Sequence, residues 1–220
     1  MQTSRTALIV VDMQKYYLHP GSPYARYFNS IRPGCLDYLM RRSESTVTPN
    51  IRRCIEGFRR RNMPVVFLRL CGRDPERRDL HRFFMETHER GRRAGFDPVY
   101  PLADDPWAEI VDELKPLSTD IVIDKTTFSP FTTTAIDSIL RKEGIERLVL
   151  TGLATSQCVE TTARDASERG YSIVHLEDAQ TDYDELTHLS SLISSWGVCG
   201  GNVMTTGEYL ADCDYQDNYR

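Results

Sequence analysis

The chain predicts an α/β fold: a single doubly wound domain over residues 1–220, with a six-stranded, mostly parallel sheet and helices on both faces. Three observations carry this. Short, continuously apolar runs such as Ala7-Leu8-Ile9-Val10-Val11 end abruptly in a polar residue, as strands buried on both faces do. Segments with apolar residues at helical spacing stand between those runs. Gly, Pro and Asn punctuate the junctions.

Thr6 to Asp12 is the first strand. Thr48-Pro49 is expected to cap a helix whose stripe is Ile51, Ile55 and Phe58, stopped by Asn62 and Pro64. Val65 to Leu68 is the second strand. Asp105-Pro106 opens a predicted helix bearing Trp107, Ile110, Val111 and Leu114. Asp120 to Asp124 is the third strand, followed by a Thr-rich cap and a helix with Ile136, Ile139 and Leu140. Ile145 to Leu153 is the fourth strand. Thr155 or Ser156 then caps a helix bearing Val159, Ala163 and Ala166, closed by Gly170. Ser172 to Leu176 is the fifth strand, Leu186, Leu189 and Ile193 mark a late helix, and Asn202 to Met204 is a sixth strand. Two segments, His19 to Val47 and Cys71 to Asp104, are longer than ordinary connections. Both follow strands at the edge where such sheets bind ligands, so they are candidate walls of a site.

The 220 residues are 40% apolar and 27% charged, which describes an ordinary globular chain. A net charge of −5, from 27 basic and 32 acidic residues, gives no electrostatic case for nucleic acid or for anionic membrane. No apolar run approaches a membrane span, and Met1 to Arg5 leads straight into a strand, so neither a membrane anchor nor a signal peptide is expected. Cys35, Cys54, Cys71, Cys158, Cys199 and Cys213 show no C-x-x-C spacing, which argues against a zinc site or disulfide framework and for a reducing cytoplasm. The tail Asp212 to Arg220 is polar and is expected to fray or to lie against a neighbouring subunit.

Chemistry concentrates at three strand ends. Asp12 closes the first strand, Lys125 lies just beyond the third, and Cys158 follows the fourth at a helix start, where free N–H groups and the helix dipole favour a thiolate. Together they supply a nucleophile, a proton acceptor and a cation that tunes both.

These residues sit in three ordered motifs: Val10-Val11-Asp12-Met13-Gln14, Lys125-Thr126-Thr127-Phe128-Ser129-Pro130-Phe131, and Thr151-Gly152-Leu153-Ala154-Thr155-Ser156-Gln157-Cys158-Val159. With Glu177-Asp178-Ala179 at the end of the fifth strand, the chain resembles the isochorismatase-like cysteine hydrolases over nearly its whole length. The resemblance implies a strand order of 3-2-1-4-5-6 and a triad of Asp12, Lys125 and Cys158. It also implies a cis peptide at Leu153–Ala154 that turns the Ala154 N–H beside the Cys158 N–H to form an oxyanion hole. Retention of the cysteine points to the amidohydrolase branch. The run from Thr155 to Ala166 is similar to members acting on ureido and carbamoyl compounds, such as biuret hydrolase, ureidoacrylate amidohydrolase and N-carbamoylsarcosine amidase. Nicotinamidase-like and isochorismatase-type hydrolysis, and a catalytically silent binding protein, are the alternatives.

Nicotinamidases place an Asp-x-His metal motif after the second strand. Here Leu68 to Asp74 departs from it, and although Asp79, His81 and His88 are ligand types, no metal or other cofactor is expected. Tyr16, Tyr17, Phe128 and Phe131 are candidate apolar walls, Thr155 and Gln157 candidate hydrogen-bonding partners of a planar amide or ureide substrate, and Arg69 or Arg73 candidate partners of a substrate carboxylate. The resemblance also implies a homodimer or homotetramer.

Overall fold

The computed structural model describes residues 5–197 and 201–218, with side chains to 213. Six parallel strands, β1 (Arg5–Val11), β2 (Val65–Leu70), β3 (Ile121–Lys125), β4 (Ile145–Leu153), β5 (Ser172–Thr181) and β6 (Asn202–Met204), lie in the order β3-β2-β1-β4-β5-β6. β1 is central, pairing Ile9 with Val66 on one side and with Leu150 on the other. Its side chains alternate between two cores. Leu8 and Val10 pack with Phe67 and Val149 on one face, whereas Ala7, Ile9 and Val11 pack with Val66, Leu68 and Leu150 on the other. Between β1 and β4 the chain direction of the crossovers reverses, which leaves a crevice beyond their C-terminal ends.

Helices cover both faces. α1 (Lys15–Leu18), α2 (Pro23–Ile31), α3 (Asp37–Arg42), α4 (Thr48–Arg60), α5 (Arg82–Arg93) and α9 (Thr206–Asn218) belong mainly to the first face, and α6 (Ile136–Lys142) and α7 (Glu160–Glu168) to the second; α8 (Glu185–Ser195) packs beside α7. Of the two segments read as long connections, His19 to Val47 is mostly helical, whereas Cys71 to Asp104 holds only α5 within an otherwise irregular stretch. The tail, expected to fray or to lie against a neighbouring subunit, is helical as far as Asn218.

Three local expectations need correction. Thr48 does not cap a helix start, because a π turn (Ser43–Val47) joins α3 to α4 and Thr48 N–H donates to Ser43 O. The wider turn accommodates Pro49, which brings no N–H and whose ring crowds the carbonyl four residues back. The helix predicted from Asp105 breaks into two 3₁₀ turns, Pro106–Ala108 and Asp112–Leu114. Between them the backbone extends, so that Lys15 N–H bonds Glu109 O at 2.8 Å and Val111 N–H bonds Met13 O at 3.0 Å. That pairing outweighs helical periodicity. Finally, Leu186, Leu189 and Ile193 lie on α8 as predicted but face outwards.

Candidate active site

Asp12 leaves β1 with φ of 53°, in the left-handed region that Asp tolerates better than most residues. Its N–H stays in the sheet, bonded to Leu68 O at 3.0 Å. Gln14, fully buried, ties the turn after Asp12 to two neighbouring segments: its Oε1 accepts from Leu70 N–H at 2.7 Å and its Nε2 donates to Ala108 O at 2.9 Å. Lys125 ends β3, with its whole side chain buried. Its three ammonium protons have three acceptors: Asp12 Oδ2 at 2.9 Å, Thr127 O at 3.1 Å and Cys158 Sγ at 3.3 Å. Three groups remote along the chain thus meet at one point.

Cys158 sits in a π turn (Thr155–Val159) between β4 and α7, and the peptide bond Leu153–Ala154 is cis. Neither Thr155 nor Ser156 caps this turn. Asp182 does so instead from the end of β5, its Oδ2 accepting the Ser156 N–H at 2.6 Å and its Oδ1 the Tyr183 N–H at 2.8 Å. Sequence inspection missed this residue because it lies beyond the Glu177-Asp178-Ala179 signal. Asp182→Ala strands two backbone N–H groups in a buried setting, so we expect a loss of about 3 kcal/mol in denaturant unfolding, together with a kcat loss larger than any change in KM.

Electrostatics corrects one expectation. Burial pushes the Cys158 thiol up, the Asp12 carboxylate adds to that, and Lys125 opposes it. Burial and the Asp12 charge thus favour the thiol over the helix-stabilised thiolate expected from the sequence, and the Ser156 N–H of the turn is already met by Asp182. Burial also raises the Asp12 carboxyl, against the pull of the Lys125 charge. For Lys125, burial would lower its value but is outweighed by Asp12 and Cys158, so the ammonium is retained. Asp12 Oδ1 is buried and has no hydrogen-bond partner among the described residues, an acceptor available for a proton.

The wall beside the trio is phenolic. Tyr16 and Tyr17 of α1 have ring centroids 4.0 Å apart, Tyr24 of α2 lies 4.9 Å from Tyr17, and Tyr100 lies 5.9 Å from Tyr16. Tyr183 joins through a 2.8 Å bond between its hydroxyl and that of Tyr24. Burial drives all five phenols up, so they stay protonated. Tyr17, expected as a substrate contact, packs in this cluster with Tyr16, and Tyr24, Tyr100 and Tyr183 were not foreseen.

The other proposed contacts fare differently. Phe128 is half-buried against Phe84, with ring centroids 4.5 Å apart. Phe131 belongs to the same apolar cluster as Cys158 and Val159, and the Arg169 guanidinium lies 4.9 Å over its ring. The Thr155 hydroxyl is held by Thr181 O at 3.0 Å and His188 Nδ1 at 2.8 Å, which makes it a structural tie. Gln157 is half-buried on the nucleophile turn. Arg69 is committed to Asp124 through two bonds of 2.7 and 2.9 Å, and Arg73 donates to Asp124 O, so both guanidinium groups serve β3. Asp79 accepts the Arg73 N–H, His81 caps α5 through the Phe83 N–H, and His88 accepts the Tyr100 N–H. Among the described residues no three His, Cys, Asp or Glu side chains gather as metal ligands.

A cleft of about 850 Å³ is lined by Lys15, His19, Met40, Arg52 and Trp107, and none of the trio lines it. Cys158 is 3% exposed, so the reacting atoms are closed off from solvent.

Comparison with known proteins gives the family and the fold. The Isochorismatase domain family matches residues 6–208. The ureidoacrylate amidohydrolase RutB of Yersinia enterocolitica is 36% identical over 186 residues, covering 80% of this chain and 75% of the relative. A crystal structure of N-carbamoylsarcosine amidase from Thermoplasma acidophilum superposes with a TM-score of 0.66 at 28% identity, over 92% of this chain and 96% of that one. A cysteine hydrolase from Pseudomonas syringae pv. phaseolicola gives 0.73 at 25% identity, over 94% and 91%.

Proposed function

The chain belongs to the isochorismatase family, and from that premise we propose that it hydrolyses a C–N bond of a small amide, ureide or carbamoyl compound through a Cys158 thioester. The observation that carries this is the contact of one buried ammonium with both a carboxylate and a thiol, Lys125 with Asp12 and Cys158. Relatives named as ureidoacrylate amidohydrolases support the ureide class.

Asp12 Oδ1 takes the thiol proton as Cys158 Sγ attacks the carbonyl carbon, because a thiol held this high needs a base in contact with it. The developing oxyanion is received by the Ala154 and Cys158 N–H groups. Asp12 then returns the proton to the leaving ammonia or amine, the C–N bond breaks, and the thioester remains. Water attacks that thioester with Asp12 again as base, which frees the acid and restores the thiol. Lys125 keeps its charge throughout and offsets the negative charge passing between carboxylate and sulfur. The phenolic wall excludes bulk water and offers neutral hydrogen bonds to a planar substrate.

Ammonia release across a panel of ureides, carbamoyl amino acids and simple amides tests the reading, with mass spectrometry of the acid-quenched enzyme to find the acyl adduct on Cys158. No turnover across the panel would leave a silent binding protein. The raised Asp12 carboxyl also sets a pH dependence. Its ionised form is the base, so kcat/KM falls as pH drops through its value, and the acid limb lies above the 3.8 of a free aspartate. A limb at or below that value would remove Asp12 as the base. No disulfide joins Cys35, Cys54, Cys71, Cys158 and Cys213 to one another, and Cys199 lies outside the described residues; the reading includes a cytoplasmic location. The reading includes a single domain and a homo-oligomer.

A further inference from the structure

β5 does not run straight. Its pairing with β4 jumps from Leu150–His175 to Gly152–Gln180, so the residues from Leu176 to Ala179 bulge against a single position of β4. A bulge leaves carbonyls without ladder partners, and Arg42, the last residue of α3, takes two of them. Its Nε donates to Gln180 O at 3.1 Å and its Nη2 to Glu177 O at 3.0 Å. The second proton of Nη2 is directed at His188 Nε2, 3.2 Å away. His188 is buried on α8, and its Nδ1 lies 2.8 Å from Thr155 Oγ1, whose other neighbour is Thr181 O at 3.0 Å. A polar line therefore runs from the β5 bulge to the turn that carries the nucleophile.

The protons along this line can run only one way. A guanidinium donates and never accepts, so His188 Nε2 is the bare nitrogen of the ring. Burial first, and then the Arg42 charge, push the ring down to about 4, so it is neutral at physiological pH and carries its one proton on Nδ1. That proton goes to Thr155 Oγ1, and the hydroxyl's own proton is left for Thr181 O. Each donor then has one acceptor, and the Thr155 side chain has one orientation. Thr155 opens the π turn directly after Ala154, whose carbonyl accepts the Gln157 and Val159 N–H groups at 3.0 and 3.2 Å. The peptide group joining Ala154 to Thr155 is thus held on both sides. The N–H at the start of this held segment, that of Ala154, is one of the two that receive the oxyanion in the reaction above.

We propose that Arg42 and His188 are positioning residues for the nucleophile turn. The guanidinium fixes the imidazole as its Nδ1–H tautomer, that proton fixes the Thr155 hydroxyl, and the Ala154 and Cys158 N–H groups are thereby held together where the oxyanion forms. This role rests on the thioester reading, and two measurements separate their fates. Long-range proton–nitrogen NMR at neutral pH reads the tautomer without any turnover, with His188→Asn identifying the signal among the five histidines. The parent is expected to show Nδ1–H with a bare Nε2, and Arg42→Met to move the proton to Nε2, which no longer has to accept. A parent protonated on Nε2, or a ring unchanged in Arg42→Met, overturns the relay. In turnover, Thr155→Val is expected to lower kcat about 100-fold with KM within about threefold, because misplaced donors are missed in the transition state. Thr155→Ser, which keeps the hydroxyl, is expected to restore most of that loss, and Arg42→Met to lower kcat about tenfold. The parent's kcat in Thr155→Val or Arg42→Met, or an equal loss in Thr155→Ser, overturns the positioning role. A parent inactive on every amide and ureide refutes the thioester reading instead, and the ring signal then still decides the relay.

Discussion

Cys158→Ala is expected to lower turnover by at least about 1,000-fold while the protein remains folded. The sulfur is the atom placed to form the covalent bond, touching the cation that also holds the base, and a methyl group in its place has no lone pair to donate. Structurally the loss is small. Sγ contributes one long contact to Lys125, whose ammonium keeps Asp12 and Thr127 O as acceptors, so the cost is about 1–2 kcal/mol of cavity and packing. The informative controls are Cys54→Ala and Cys71→Ala. Both thiols are buried and pushed up to about 12; Cys54 bonds the Thr206 hydroxyl, and Cys71 bonds the Arg69 carbonyl beside the Asp124 carboxylate, whose charge is taken up by Arg69. A raised thiol is therefore common to three buried cysteines and does not pick out a nucleophile. The hydrogen bond from the buried Lys125 ammonium, shared with Asp12, does. Residual hydrolysis within about tenfold of the parent in Cys158→Ala, with an adduct appearing elsewhere, would sink covalent catalysis at this sulfur.

That distinction explains how much of the molecule is legible in its sequence. β1 and β4 are readable to within a residue because continuous apolar runs between polar ends leave a parallel strand little alternative. Asp12, Lys125 and Cys158 are readable because each ends or follows such a strand, and strand ends share one edge. What sequence cannot supply is the state of the sulfur, since burial and the Asp182 cap depend on residues brought in from β5. Thr155 and Phe131 neighbour the triad in sequence and so suggest substrate contacts; the Thr155 hydroxyl ties the turn to β5, and Phe131 packs in the apolar cluster that holds Cys158. The α8 stripe misleads for a related reason. Periodicity shows that a helix has two faces, and the inward one is decided by polar ties to Thr155 and Glu160.

Gly152→Ala is expected to cost more than about 4 kcal/mol and to leave little folded protein at 37 °C, although it adds a single methyl group. Gly152 sits near the end of β4 with φ of +104°, and a Cβ there would lie 2.1 Å from Val11 O and 2.7 Å from Val11 N. Those atoms are backbone of the central strand, paired with Gly152 itself in the sheet, so they cannot rotate aside as a side chain would. Gly170 separates the two parts of that cost. It too has positive φ, +89°, as the cap of α7, but nothing lies within 4 Å of its Cβ position. Gly170→Ala therefore carries only the left-handed backbone penalty, about 1–2 kcal/mol, and is expected to fold. The difference between the two variants in urea unfolding measures the steric part alone. The same clash explains why the site needs a glycine at this point. Val11 and Gly152 are the last paired residues before Asp12 and the nucleophile turn diverge, and a wider separation there would pull the carboxylate from the sulfur. Equal unfolding free energies for the two variants would show that β1 and β4 can part without penalty, and the close approach that brings Asp12 to Cys158 would lose its structural basis.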